Sequence, residues 1–150
     1  MPLDFPRPAR LPLDGAEVPI KIPTDLATKM RGLARARSST MFGVMLGVYA
    51  GVLGRCSGSS DVAIASVVAN RNSPAVEDLM GYFVNTVIFR AVLTGSFEQL
   101  MDKLKETAVN AFTHGGAPYA RVLEVAKLDP SAVPAMFVFQ DTEEEGWSMG

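Results

Sequence analysis

The sequence predicts an α/β domain: a small mixed sheet with helices packed on it. Two patterns lead to that fold class. Short apolar runs bounded by turn residues occupy Asp61–Ala69 and Phe83–Leu93, and stretches of helical apolar periodicity flank them. Size agrees, since 150 residues with 48% apolar and 20% charged side chains suffice for one domain with a real core and are short for two.

Taken in chain order, Pro2, Pro6, Pro8 and Pro12 exclude a helix and predict an extended, proline-rich lead-in over residues 1–16. Glu17–Ile22 has strand character, and Pro19 places it at an edge. Thr24 reads as the N-cap of an amphipathic helix carrying Leu26, Met30, Leu33 and Ala34 and running to about Arg37. Ser39 or Thr40 caps the next helix, an apolar run from Met41 that ends near Gly54 and Gly58. Its Gly43, Gly47 and Gly51 are four apart, a spacing that also marks paired membrane helices. A bilayer needs about 20 apolar residues, so a helix buried against a sheet is expected instead, and no membrane partner.

Asp61–Ala69 is almost continuously apolar, as befits a strand covered on both faces. Asn70–Pro74 breaks it, Val76–Met80 suggests a short helix, and Gly81 stops that helix. Phe83–Leu93, rich in β-branched and aromatic residues, predicts a second central strand with Asn85, Thr86 and Arg90 as polar interruptions. Ser96 and Gln99 form a capping-box pattern ahead of a long helix bearing Phe97, Leu100, Met101, Leu104, Ala108, Ala111 and Phe112. Gly115 and Gly116 end it, and Pro118 opens a shorter helix with Tyr119, Val122, Leu123 and Ala126. Pro134–Phe139 predicts a last strand, and residues 142–150 an acidic tail. Strands alternating with helices imply partly parallel pairing in a sheet of three or four strands, whose open edges invite another chain.

Composition narrows the chemistry. The 14 Lys+Arg against 16 Asp+Glu leave a net charge of −2, and the clustered Lys29, Arg31, Arg35 and Arg37 read as a solvated helix face, so no nucleic-acid partner is expected. The one cysteine, Cys56, forms no internal disulfide, and Met1–Asp4 has no basic and apolar leader pattern; the expected location is cytoplasmic. His114, the one histidine, falls at the end of the long helix, where a cation suits the dipole and a capping role outweighs catalysis. A Cys56–His114 dyad is the remaining nucleophile–base pair, although Cys56 is more simply a small buried residue. No zinc spacing, calcium loop, Walker loop or dinucleotide fingerprint is present, and Glu143–Glu145 reads as a solvated run. No metal or directly bound cofactor is expected, and no self-sufficient active site.

One stretch carries more. Gly81-Tyr82-Phe83-Val84-Asn85-Thr86-Val87-Ile88-Phe89-Arg90 resembles the Gly-x-Phe-Val-Asn-Thr…Arg motif of nonribosomal peptide synthetase condensation domains. The flanks are similar too. Leu33-Ala34-Arg35 through Leu53-Gly54-Arg55 resembles the family's helix pair, and Ser57-Gly58-Ser59-Ser60-Asp61-Val62 its Ser-Gly-x-x-Asp-Val turn. Asn70-Arg71 resembles the pair closing the next strand, His114–Tyr119 the His-x-x-x-Pro-Phe segment, and Asp129–Pro134 a later Asp-x-Ser-x-x-Pro segment. Departures include Ala65-Ser66-Val67 for Gly-Thr-Pro and Lys127-Leu128 ahead of Asp129, where the family carries Arg.

The resemblance implies that residues 17–141 form part of the C-terminal lobe of a chloramphenicol-acetyltransferase-like two-lobe fold. Such a lobe helps shape a tunnel where thioesters on the phosphopantetheine arms of peptidyl carrier proteins are joined. The family's His-His-x-x-x-Asp-Gly motif is missing, which implies a chain that is not catalytically complete alone. Arg71 is implied to pair with that motif's aspartate, against the plainer role of capping nearby carbonyls. Asn85, Thr86 and Arg90 are implied at the lobe interface, and His114, Pro118 and Tyr119 at the tunnel's entrance or floor; none is catalytic. Implied partners are carrier proteins and an N-terminal lobe, or a second copy through open sheet edges. The alternative is a non-catalytic carrier-binding or self-associating scaffold. A CoA-dependent acyltransferase ranks last, since Pro118 stands four residues after His114 where that chemistry has aspartate.

Overall fold

A computed structural model describes residues 15–71, 73–129 and 133–140. Their elements are α1 (Thr24–Ala36), α2 (Met41–Ser57), β1 (Asp61–Val68), α3 (Pro74–Glu77), β2 (Asn85–Val92), α4 (Phe97–Thr113) and α5 (Tyr119–Ala126). The expectations for residues 1–14 and for the acidic tail lie outside the described residues.

The strands pair antiparallel, with Asp61 opposite Val92 and Val68 opposite Asn85. That register sets Val62 and Ile64 beside Ala91 and Phe89 on one face, which α2 and α4 cover. Leu46, Ala50 and Leu53 from α2 meet Leu100 and Leu104 from α4 over Ile64, Val87 and Phe89. Aromatic rings lock this layer: Phe89 meets Phe42 and Phe112 nearly edge-on, each at 5.6 Å between centroids. A smaller cluster, Ala34 and Val44 with Met101, fixes α1.

Local chemistry sets the helix ends. The Thr40 hydroxyl accepts from the Gly43 N–H, and Gly58 closes α2 at φ 67°, a left-handed conformation that suits glycine. At α4 the capping box forms as expected, Ser96 accepting from Gln99 N–H while the Gln99 side chain accepts from Ser96 N–H. Gly47 of α2 serves close packing: Phe97 lies 3.3 Å from where its Cβ would stand. Among the described residues, no single helix is long and apolar enough to cross a membrane.

Several boundaries differ from expectation. The sheet has two strands, and Pro134–Phe139 adds one parallel bridge, Met136 with Ala65, in place of a full strand. Ala65 N–H donates to the Ala135 carbonyl at 2.9 Å and Phe137 N–H to the Ala65 carbonyl at 2.8 Å. The sheet is thus mixed but smaller than predicted. Glu17–Ile22 is extended but unpaired among the described residues. Pro23, not Thr24, is the α1 N-cap, and Thr24 is already helical, its carbonyl accepting from the Thr28 hydroxyl. The short helix begins earlier than expected, at Pro74, because Ser73 caps it through the Ala75 N–H. β1 ends at Val68, ahead of the left-handed Asn70. Cover on both faces holds only mid-strand, at Ile64, Ala65 and Ser66; Val67 is exposed. Cys56 is exposed as well, correcting the buried role expected of it.

Candidate functional site

The sheet end formed by Val68 and Asn85 gathers most of the residues singled out in the sequence. A cavity of about 360 Å³ opens there, lined by Val67, Val68, Ala69, Asn70, Arg71, Phe112 and Gly115. The end of β1 supplies Val67 and Val68, the last turn of α4 supplies Phe112, and the turn that follows supplies Gly115.

Asn85 holds this end together. Its side-chain amide donates to the Gly115 and Ala117 carbonyls, both at 2.7 Å, across 30 and 32 residues of sequence. An amide carries two donors, and both are used on the turn between α4 and α5. The same turn carries His114, whose backbone N–H donates to the Asn110 carbonyl as the α4 C-cap and whose carbonyl accepts from Ala117 N–H. Pro118 is the α5 N-cap, its carbonyl accepting from Arg121 and Val122, and Tyr119 follows half-buried. His114 and Pro118 are exposed at the surface of this turn.

Arg71, on the cavity rim, is engaged within its own loop. Its guanidinium donates to the carbonyls of Val76, Glu77 (3.1 Å) and Leu79 (2.8 Å) and stacks 4.4 Å from the Phe83 ring centroid. The carbonyl-capping role is the one Arg71 plays here. Thr86 sits opposite Val67 on the sheet face turned away from α2 and α4.

Arg90 is not part of this group. It lies toward the other end of β2, where its guanidinium takes both Asp61 carboxylate oxygens, with Nη2 2.7 Å from Oδ2. The hydrogen-bonded Arg90 guanidinium holds the Asp61 carboxyl below its usual range. Cys56 also leads into the Asp61 end, whereas His114 adjoins the Asn85 end, so β1 separates the dyad and excludes it.

Sequence reasoning missed Phe112, Gly115 and Val67 as cavity walls. Phe112 reads only as part of a helical apolar stripe, and Gly115 only as a helix stop. The chemistry this arrangement offers is shape, apolar wall and hydrogen bonding, with no carboxylate or imidazole among the described lining residues. Among the described residues no three His, Cys, Asp or Glu side chains gather as a metal site.

The family model described as the condensation domain matches residues 1–148. The chain belongs to the condensation-domain family. Malpibaldin synthetase of Mortierella alpina is 38% identical over 129 residues, 85% of this chain and 2% of that protein. Phosphinothricin tripeptide synthetase PhsC of Streptomyces viridochromogenes is 36% identical over 131 residues, 86% of this chain and 12% of that protein. Among solved structures, the four-domain nonribosomal peptide synthetase holo-AB3403, bound to AMP and glycine, superposes with a TM-score of 0.85 at 25% identity. It matches 94% of this chain and 11% of its own. SgcC5 from Streptomyces globisporus superposes with a TM-score of 0.66 at 31% identity over 73% of this chain and 25% of its own. The chain is therefore a condensation-domain segment of nonribosomal peptide synthetase type, with the chloramphenicol-acetyltransferase-like fold of its neighbours, and it spans a small part of each relative's length.

Proposed function

We propose that this condensation-domain segment walls one side of the tunnel in which carrier-bound aminoacyl and peptidyl thioesters are joined by amide formation, and that it does not complete the reaction alone. The cavity at the Asn85 end, whose Gly115 wall the Asn85 amide holds in place, is the observation that supports this reading. A phosphopantetheine arm is long, neutral along its amides and thin, so a wall of Val67, Val68, Ala69 and Phe112 beside the polar Asn70 and Arg71 suits it.

In amide formation the amine nitrogen attacks the thioester carbonyl, the C–S bond breaks, the pantetheine sulfur leaves, and the amine gives up a proton. Holding both arms in line supplies the proximity part of the barrier. Accepting the proton is a separate task, worth typically ~10²–10⁴-fold, and His114 is turned to the surface as a helix cap. The base is proposed to come from the family's His-His-x-x-x-Asp-Gly motif on an N-terminal lobe, which this sequence does not carry. Partners in this reading are peptidyl carrier proteins and that lobe, in the cytoplasm, with no nucleic acid or membrane; the near-balanced charge of −2 supports the exclusion of nucleic acid.

The test is reconstitution. The chain is mixed with a condensation N-terminal lobe bearing the histidine motif and with two loaded carrier proteins, and amide product is followed by mass spectrometry. Product that needs both pieces is expected. Product from this chain alone, or neither product nor association in the mixture, defeats the proposal.

A further inference from the structure

Strand β1 turns its backbone groups alternately to its two edges, and one of them is left open at the cavity. In an antiparallel pair every second residue bonds its partner strand and the others point away from it. Two observations fix which are which. Just beyond the strands Leu93 N–H donates to the Ser60 carbonyl at 2.7 Å, so the even-numbered residues of β1 bond β2. Ala65 uses the outer edge, its N–H donating to Ala135 and its carbonyl accepting from Phe137. Val67, two residues on, therefore turns its N–H and carbonyl to that same outer edge, and it is one of the cavity's walls.

Were the parallel pairing to run on, the Phe137 carbonyl would accept from Val67 N–H and Phe139 N–H would donate to the Val67 carbonyl. Neither bond forms, although residues 133–140 are all described, because the pairing ends after the single bridge of Met136 with Ala65. Among the described residues no backbone hydrogen bond reaches Val67 N–H. Residue type matters here. The family's Gly-Thr-Pro, which Ala65-Ser66-Val67 replaces, ends in proline at this position, and proline has no N–H. Val67 gives this chain a cavity-wall donor that the proline form of the motif lacks.

We infer that Val67 N–H is a positioning contact for the phosphopantetheine arm, donating to one of the arm's amide carbonyls and seating it along the outer edge of β1; this rests on reading the cavity as tunnel wall. The arm carries two secondary amides joined by short aliphatic links. Each amide offers an uncharged carbonyl acceptor and an N–H donor, the same pair of groups that a strand edge takes from an extended peptide. The Val67 carbonyl, on the same edge, accepts the arm's N–H in turn. Val68 and Phe112 give the aliphatic links apolar cover. A neutral amide suits this place better than an anion, because the Arg71 guanidinium already donates to carbonyls of its own loop.

Amide NMR spectra of the isotope-labelled 150-residue chain, titrated with pantetheine, decide it. The Val67 amide proton is expected to move downfield and saturate, together with the signals of its cavity neighbours Ala69 and Gly115. Val67→Pro removes the donor without removing a bond to β2, and is expected to bind pantetheine roughly fivefold more weakly, followed through Ala69 and Gly115. Val67→Ala trims the side chain, keeps the N–H, and is expected to bind like the wild type. The wild-type titration stands by itself if the proline variant does not fold. Ala69 and Gly115 signals that respond while Val67 stays still, a proline variant that binds as tightly as wild type, or an alanine variant as weak as proline each overturn the inference and leave the tunnel reading in place. Cavity signals that ignore pantetheine altogether overturn the inference as well, and reconstitution then judges the tunnel separately.

Discussion

Asn85 begins β2 with a side chain whose two N–H groups both reach carbonyls of the α4–α5 turn. Asn85→Ala strands those carbonyls and is expected to cost about 1–2 kcal/mol in urea unfolding, because half-burial leaves water some access. Asn85→Asp sets a carboxylate against two carbonyl oxygens and is the less stable of the two at neutral pH. A protonated acid donates again, and the carbonyls raise the folded pKa of that acid, so the gap between the two variants should close as pH falls toward ~4. At the opposite end of the sheet the sign is reversed. The Arg90 hydrogen bonds hold the folded Asp61 pKa below its unfolded value, so that pair's contribution is present above the unfolded pKa and is lost as pH falls through the folded one. Asp61→Asn should therefore flatten the acid limb of a plot of urea midpoint against pH. The difference from wild type should shrink in high salt, since both partners are exposed. Neither partnership is spelled out in the sequence. Asn85 is visible as a polar break in an apolar strand, but Gly115 and Ala117 become its acceptors only after α4 has folded back along β2. Asp61 and Arg90 meet only because the register sets Ala63 against Arg90, two pairs inward of Asp61 and on the same face.

Elements were more legible than partnerships. Thr40, Ser96 and Gly58 announce helix ends through chemistry confined to a few residues, and those ends form where expected. The strand ends were less so, because neither the short β1 nor β2 carries its own stop signal as strong as a cap. The glycines of α2 separate two roles that look alike in sequence. A Cβ on Gly54 would stand 1.9 Å from Leu93 Cδ1 and 2.8 Å from the Ser59 carbonyl oxygen, and the latter is backbone that yields little. Gly54→Ala should destabilise by about 1–3 kcal/mol. A Cβ on Gly51 meets nothing within 4 Å, so Gly51→Ala should stabilise by about 0.5–1 kcal/mol through helix propensity alone. Thermal unfolding of the two variants beside the wild type checks both signs at once.

At the scale of the whole molecule, the sheet has one face covered by helices and one open. Val67, Met136 and Val138 are 38%, 53% and 47% exposed, and Thr86 and Ile88 face the same way by register. An apolar face of this kind binds hydrophobic dyes. The isolated chain should enhance anilinonaphthalene sulfonate fluorescence, and Met136→Lys with Val138→Lys should reduce it without changing the helical signal. If an N-terminal lobe covers this face, its addition should quench the same fluorescence. Unchanged fluorescence on forming a product-competent mixture would place the lobe contact elsewhere. By itself the sequence determined the helices, the existence of both strands, and the family through the Gly81–Arg90 motif, because caps, periodicity and a contiguous motif are properties of neighbouring residues. Tertiary structure decided what lines the cavity, which strand face stays open, and that Arg71 closes on its own loop while Arg90 leaves the site for Asp61. Those outcomes depend on register and on helices meeting strands across 30 or so residues of chain, where a slip of one position along β2 would turn every side chain to the other face.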